Sequence, residues 1–359
     1  MLATPPRCAY GEAIPFTYVQ NPPPFIIRLY HPADLNVVRA TVAAAMAADE
    51  PPLRTTAADL VARLQQPSSD ARLDPADDLW VAVVPGAGVV AFANGALAGD
   101  AGEAGAAEAT YRTECFVHPK FRRRGIGRAL LTRQWSRAKY IVRRFSRDGP
   151  PLSINLAART WEQQTDALAL FEASGLRRAR VFLEMRRELA EPVPAVPAPA
   201  GVRLQPWLDR RTDEAVWAAC NEAFADHWGH AAEPFDSFMR RVRTGRMQPE
   251  NSVIARAGDA VVGASLNEMG PAGAERLGAR RAWIHQLFVR PAWSRRGIGH
   301  ALLAASLARA RQLGETSASL SVDAENSTGA VALYEKLSFR QVSRRLLYLR
   351  PYANPAPEA

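Results

Sequence analysis

A short basic string with two glycines occurs twice in this chain, and that repetition constrains the fold more than composition does. Residues 122–131 read RRRGIGRALL and residues 295–303 read RRGIGHALL. Each follows an apolar run ending in Val-X-Pro, CFVHP at 115–119 and LFVRP at 287–291. The order of strand, basic glycine turn and amphipathic helix therefore recurs about 170 residues apart, which is one domain length. A chain of 359 residues with 48% apolar composition can bury two cores. The repeat predicts two copies of one fold in tandem.

Proline marks the divisions. Residues 1–24 hold NPPPF and read as an extended N-terminal arm, and residues 191–201 (EPVPAVPAPAG) read as a semi-rigid linker. They separate an N-terminal unit at 25–190 from a C-terminal unit at 202–352, with 353–359 as a tail. The units read in parallel. Each opens with a short strand (FIIRLY at 25–30, VRLQPW at 202–207) and a helical pattern (DLNVVRATVAAAMA, DEAVWAACNEAF). A hairpin follows, LWVAVV-PGAG-VVAFANGAL and then SVIAR-AGDA-VVGASLNEM. After the glycine turn and its helix come another strand (LSINL, SASLSV), another helix and a closing β pair. The expected class is α+β, each unit having a mixed central sheet flanked by helices.

Chemistry concentrates at the glycine turns. A helix N-terminus leaves backbone N–H groups unpaired and carries a partial positive charge, and phosphate oxygens satisfy both. Gly297 and Gly299 allow close backbone approach, and Arg295 and Arg296 add charge. A solvated turn without a ligand is the plain alternative, weakened by the second copy at 122–127. A dinucleotide fold is disfavoured, because the turn lacks a third glycine and follows the middle of the unit, not its first strand.

The chain carries 45 basic and 36 acidic residues, a net charge of +9. That balance suits an anionic ligand. The arginines are dispersed and not interleaved with aromatics, which argues against nucleic acid. Cys8, Cys115 and Cys220 are odd in number and lack ligand spacing, so no disulfide framework and no metal site is expected. No signal peptide opens the chain and no apolar stretch is long enough to span a bilayer. The expectation is a cytoplasmic protein without a membrane partner; oligomeric state is left open.

With these residues in place, a resemblance becomes specific. The Val-X-Pro strand end, the turn of form (Arg or Gln)-X-X-Gly-X-Gly and a later Asn…Leu-Tyr-Glu-Lys-X-Gly-Phe resemble the GNAT superfamily of acyl-CoA N-acyltransferases. The second unit carries WIHQLFVRP at 283–291, SRRGIG at 294–299 and ENSTGAVALYEKLSF at 325–339; the first carries ECFVHP and RRRGIG. The tandem layout and NEAFADHWGH at 221–230 are similar to two-domain members such as the mycothiol synthases. The resemblance implies a splayed sheet in each unit, with acetyl-CoA, or another acyl-CoA, where two strands part. It places the pantetheine arm along Leu287, Phe288 and Val289, and the pyrophosphate on Arg295, Arg296, Gly297, Ile298 and Gly299. Asn326 would touch the cofactor arm, and Tyr334 would be the general acid for the departing thiolate.

The departures are informative. Ser294 stands for the usual Arg or Gln, and Ser338 for the usual Gly. Trp283 occupies the strand position where many members carry a catalytic Glu. His285, two residues on and on the same strand face, matches a histidine of the arylalkylamine members and could take the amine proton. A half-buried structural histidine is the equal alternative. In the first unit Phe171 stands at the tyrosine place and Tyr111 at the base place, and the Asn has no counterpart. That unit could still bind CoA through Arg122, Arg123, Arg124, Gly125, Ile126 and Gly127, but is expected to be weak or inert in catalysis. The acceptor would be a small-molecule or peptide amine; Phe224, His227, Trp228, His230 and Phe235 suit one with an apolar or ring portion, with ordinary loop packing as the equal alternative. The reading is thus an acetyl-CoA-dependent N-acetyltransferase active in the C-terminal unit. The alternative, a non-catalytic acyl-CoA-binding or interaction module, is favoured only by the missing carboxylate at Trp283.

Overall fold

Both units follow the expected element order. The structure is a computed structural model that describes residues 24–49, 75–98, 108–146, 153–228, 232–271, 280–326 and 329–353. The arm lies outside the described residues except Pro24, and so does the tail except Ala353. The first unit runs β1 (Ile26–Leu29), α1 (Leu35–Asp49), β2 (Leu79–Val84), β3 (Gly88–Ala98), β4 (Glu108–Val117), α2 (Ile126–Phe145), β5 (Ser153–Trp161), α3 (Thr165–Ala173) and β6 (Arg177–Glu188). The second runs β7 (Arg203–Pro206), α4 (Asp213–Phe224), α5 (Phe235–Arg243), β8 (Val253–Ala257), β9 (Ala260–Glu268), β10 (Arg281–Val289), α6 (Ile298–Gln312), β11 (Ser317–Asp323), α7 (Ala330–Lys336) and β12 (Arg340–Ala353). No described helix is long and apolar enough to cross a membrane.

All the described strands join one sheet in the order β1-β2-β3-β4-β5-β12-β6-β11-β10-β9-β8-β7. The closing strands are exchanged. β6 of the first unit pairs with β11 of the second, from Glu188↔Ser317 to Phe182↔Asp323. β12 of the second pairs with β5 of the first, from Arg345↔Trp161 to Ala353↔Ser153. β6 and β12 pair antiparallel with each other at the centre. This corrects the expected closing β pair within each unit: each unit contributes one closing strand, and the pair forms between units. Alternation marks a strand but does not choose its partner, and the exchange leaves no strand edge open at the centre.

Each unit contains one parallel pair that parts. β10 pairs with β11 only over Arg281–Ile284, opposite 317–320, and then continues to Val289 with β9 alone beside it. β4 and β5 likewise pair over 108–113 and then separate. The helices take opposite faces. On one, α2 packs through Leu131, Ala138 and Ile141 on Tyr111, Ile154 and Leu156, while α6 packs through Leu303 and Leu307 on Ile284 and Leu320. On the other, α1 packs over Val81 and Phe92, and α4 and α5 over Ile254, Ala264, Leu266 and Phe288. The stretch at 191–201 has no regular secondary structure, yet Val193 and Val196 pack against the second core.

Strand exchange makes each half incomplete. A chain cut within 191–201 and produced as two fragments should give a one-to-one complex by size-exclusion chromatography, with neither fragment alone melting cooperatively by circular dichroism. Two fragments that each melt like the whole protein would contradict this dependence.

Candidate active site

The two glycine turns have the same backbone. Arg123 and Arg295 both sit at φ 63°, and Gly125 and Gly297 follow at φ 82° and 85° as the N-caps of α2 and α6. The left-handed region is open to glycine at little cost, whereas another residue there is strained by about 1 kcal/mol or more. The first ladder bonds run from Ala129 N–H to Gly125 C=O at 3.0 Å and from Ala301 N–H to Gly297 C=O at 3.1 Å. The amides of residues 298–300 thus precede the helical ladder and face outward from the helix start.

Their side chains differ. Arg122 is held by Asp49 at 2.7 Å, Arg123 by Asp166 at 2.8 Å, and Arg124 donates to the Lys120 carbonyl at 3.2 Å. In the second turn Arg296 lies 4.9 Å over the Trp293 ring and donates to the Ala292 carbonyl, while Arg295 makes no ion pair among the described residues. A Cβ on Gly299 would lie 3.5 Å from Leu333 Cδ2 and 3.7 Å from Val289 Cγ2, an ordinary packing distance. The protein itself therefore does not require glycine at 299.

Beyond Ile284, β10 has no partner on its β11 side. Leu287, Phe288 and Val289 pair with Ser265, Ala264 and Gly263 of β9. Their other edge borders the split, where backbone groups remain for a ligand. The register slips by one residue between Ile284 and Gln286, so His285 is the extra residue of a bulge. The bulge turns both His285 and Gln286 toward α4 and α5. Gln286 Oε1 lies 3.5 Å from Cys220 Sγ and accepts from Arg241 Nη2 at 3.4 Å. Arg241 is in turn ion-paired with Glu233.

His285 has a partner that sequence reasoning missed. Its Nε2 lies 2.9 Å from Glu268 Oε2, and Glu268 is 2% exposed. Glu268 ends β9 directly opposite Trp283. The carboxylate absent at 283 is thus present one strand away. A lone acid closing the apolar run VVGASLNEM was the only hint in the sequence. Burial lowers the His285 pKa; Glu268 opposes that shift, and Arg241 and Arg246 reinforce it. The ring is 22% exposed, so it reaches the open side of the sheet.

Tyr334 comes to the split from the opposite face. It is buried in the cluster of Ile284, Leu320, Val322 and Phe339, with Leu287 and Leu333 packed alongside. Burial pushes its phenol up to about 12, so it stays protonated at any working pH. Asn326 Nδ2 lies 3.4 Å from His227 Nε2, and His227 packs at 4.8 Å on Phe224. Trp228 lies 4.7 Å beneath the Arg180 guanidinium, Phe235 packs on Trp217, and His230 falls outside the described residues. Ser338, where glycine was expected, sits at φ 59°, a strained place whose counterpart in the first unit is Gly175 at φ 77°.

In the first unit Tyr111, expected at the base place, turns to the opposite face from Trp283 and His285, because β4 has no bulge and Arg112 takes the matching face. Tyr111 is fully buried and donates to Asp78 Oδ1 at 2.6 Å; Arg137 Nε reaches the same oxygen at 2.9 Å. Phe171 packs at 5.6 Å on Tyr348 of the exchanged strand β12.

Known proteins agree with this architecture. The Acetyltransferase (GNAT) family matches residues 209–339, and an Acetyltransferase (GNAT) domain matches residues 75–175. A mycothiol acetyltransferase of Thermobispora bispora is 33% identical over 66% of this chain and 75% of its own length. Another, of Salinispora arenicola, is 35% identical over 66% and 72%. Among solved structures, a GCN5-related N-acetyltransferase of Sphaerobacter thermophilus has a TM-score of 0.72 at 25% identity, covering 93% of this chain and 98% of that one. A tandem GNAT protein from the clavulanic acid biosynthesis pathway shares the fold, with a TM-score of 0.61 at 22% identity over 92% and 99%. The chain belongs to the GNAT family of acetyltransferases. It is an enzyme of the class that uses acyl-CoA donors, not a bare binding module.

The unequal turns lead to a direct comparison. Gly299→Glu places a carboxylate at the helix start that faces the split, and Gly127→Glu does the same in the first unit. Calorimetric titration with CoA should show at least a tenfold loss for Gly299→Glu and a smaller change for Gly127→Glu, with both proteins folded by circular dichroism. Undiminished affinity in a folded Gly299→Glu protein would remove the second turn from cofactor binding.

Proposed function

We propose that the protein is an acetyl-CoA-dependent N-acetyltransferase whose active centre is the split of the second unit and whose acceptor is a primary amine of a small molecule. The observation that carries this reading is the Glu268–His285 pair at the bulge beside the split. Acetyl-CoA is the donor substrate and supplies an activated acetyl carbonyl. The residues present fit it: outward amides at 298–300, the unpaired Arg295, a glycine at 299 that internal packing does not demand, and the free edge of Leu287, Phe288 and Val289. Asn326, at the mouth of the split, is placed to touch the cofactor arm. Relatives named mycothiol acetyltransferase support a small-molecule acceptor.

The protein's work is proton traffic. Attack by an amine on a thioester carbonyl requires the amine to lose a proton and the thiolate to gain one. His285, kept neutral by burial, takes the amine proton directly or through water. Glu268, hydrogen-bonded to its Nε2, fixes the ring and stabilises the imidazolium once formed, and the Trp283 ring, 6.2 Å from the imidazole, closes one side. Tyr334, protonated and embedded among apolar side chains, gives its proton to the thiolate. The first unit lacks both roles, since Phe171 has no hydroxyl and the strand face matching Trp283 carries Arg112, a cation.

Two measurements test these roles. Tyr334→Phe removes only the hydroxyl, so kcat should fall by about 10²- to 10⁴-fold while CoA affinity by titration holds. An unchanged kcat would return Tyr334 to core packing.

The second concerns pH. A base must be unprotonated, so kcat/KM falls as pH drops through the His285 pKa, and burial places that acidic limb below the ordinary value of about 6.5. His285→Ala should abolish the limb. Glu268→Gln removes the influence that raises the pKa, so the limb should move to lower pH as kcat falls. A limb that stays in place in Glu268→Gln would show that the pair is not coupled to the chemistry.

A further inference from the structure

The helices on the α1 and α4–α5 side cover the two ends of the sheet, over β2–β4 and β8–β10. The central strands carry a different surface on that side. Strand register places Arg112 of β4, Arg159 of β5, Arg345 of β12, Phe182 and Glu184 of β6 and Ser321 of β11 on one face. The same face continues onto β10, where Trp283 lies opposite Ser319. Ser321 is the first residue of β11 past the last parallel pair on this face, and His285 is the corresponding residue of β10. This floor therefore runs from His285 across the split into strands of the first unit.

The guanidinium groups converge over Phe182, with Arg159 at 5.7 Å and Arg345 at 6.0 Å from its ring. Arg345 also donates to Ser321 Oγ at 3.3 Å and faces Glu184 at 3.4 Å. Glu184 compensates Arg345, though its own burial raises its pKa. Arg180, on the same face, is ion-paired with Glu325. Arg159 and Arg112 have no ion pair or hydrogen bond among the described residues, and Glu114 is the remaining acid facing them. Both are exposed, so a ligand can reach them. Partial burial lowers both pKa values, Arg159 to about 10, with Arg345 and Arg112 repelling its charge further. Guanidinium groups crowded over one ring, with Glu184 and Glu114 as the facing acids, leave positive charge that an anion would compensate.

We propose that the acceptor of this enzyme carries an oxyanion, a carboxylate or a phosphate, that docks on Arg159 beside Arg345, over Phe182, while the amine lies at His285. The Arg159 and Arg345 guanidiniums meet over Phe182 on β6, two strands from β10, so an oxyanion held there lies about 10 Å from the amine at the usual strand spacing. Arg159 is thus a specificity residue supplied by the unit that lacks chemistry. This inference rests on the acetyl-transfer reading for the position of the amine, but not for the existence of the anion site.

The test uses the full-length protein saturated with CoA or acetyl-CoA, so that the glycine turns are filled. The probes are ω-aminooctanoate, its uncharged analogue ω-aminooctanamide, and ω-aminoheptyl phosphate. Wild type should prefer the carboxylate or the phosphate over the amide by at least tenfold in kcat/KM, mainly through KM, and the larger preference identifies which oxyanion the site takes. In Arg159→Gln the preference should shrink several-fold. Turnover of all three probes without preference would overturn the proposal and leave acetyl transfer standing. If none is turned over, calorimetry decides: a tenfold preference for the charged probes that is lost in Arg159→Gln supports the anion site, and equal binding of amide and carboxylate overturns it.

Discussion

The antiparallel pairing of β6 with β12 is the constraint from which the rest of this structure follows. Each strand closes the unit to which it does not belong, so backbone hydrogen bonds tie the two units into one sheet. The consequence reaches the split of the second unit. One wall of that split is β11, and the strand that braces β11 from behind is β6 of the first unit. Arg187 of β6 strengthens the tie. It is buried, and it donates to the carbonyls of Leu337, just past α7, and Pro192. Tyr334 lies on α7 and depends on where that helix sits. The geometry of the second split is therefore partly encoded in the first unit.

The first unit keeps the same fold with different side chains at the places that matter in the second. The expected base position, Tyr111, turns instead to the α2 face in a buried network with Asp78 and Arg137, because β4 lacks the bulge of β10, and Arg112 faces with Trp283. Asp78 is desolvated, which raises its pKa, and the guanidinium and the phenol oppose that rise. A buried polar network whose members are satisfied rigidifies its surroundings, whereas a half-satisfied one is costly. Phe171 in place of tyrosine completes the change, because its ring packs on Tyr348, a residue of the exchanged strand. The place where an acid would stand has become part of the seam between units.

Much of this was legible in the sequence because it rests on local rules. Glycine at 125 and 297 marks left-handed caps, Val-X-Pro marks the strand ends before them, and the apolar alternation of β2–β3 and β8–β9 marks hairpins. The departure at Ser338 also proved meaningful, since the backbone there is left-handed. The remainder depends on partners distant in the chain. Strand exchange cannot be read from alternation, which is satisfied equally by either neighbour. The bulge at His285 appears only when β10 is laid against β9. Glu268 was missed for the same reason: it is 17 residues from His285, and only the register brings them to hydrogen-bond distance.

The Glu268–His285 pair shows how one site can be rebuilt without moving its reacting atoms. With Trp283 at the usual carboxylate position, a proton acceptor must come from elsewhere. A carboxylate directly across the ladder points to the same side of the sheet, because opposed residues on antiparallel strands share a face. It sits one strand spacing, about 5 Å, farther from the split, too far to act on an amine directly. The bulge answers this by turning an imidazole onto the intervening surface. In the proposed mechanism the imidazole accepts the proton, and the buried carboxylate behind it compensates the charge that burial alone would penalise. Each half of the device needs the other. Glu268 without His285 would be a buried acid out of reach, and His285 without Glu268 would be a desolvated ring less able to hold a proton.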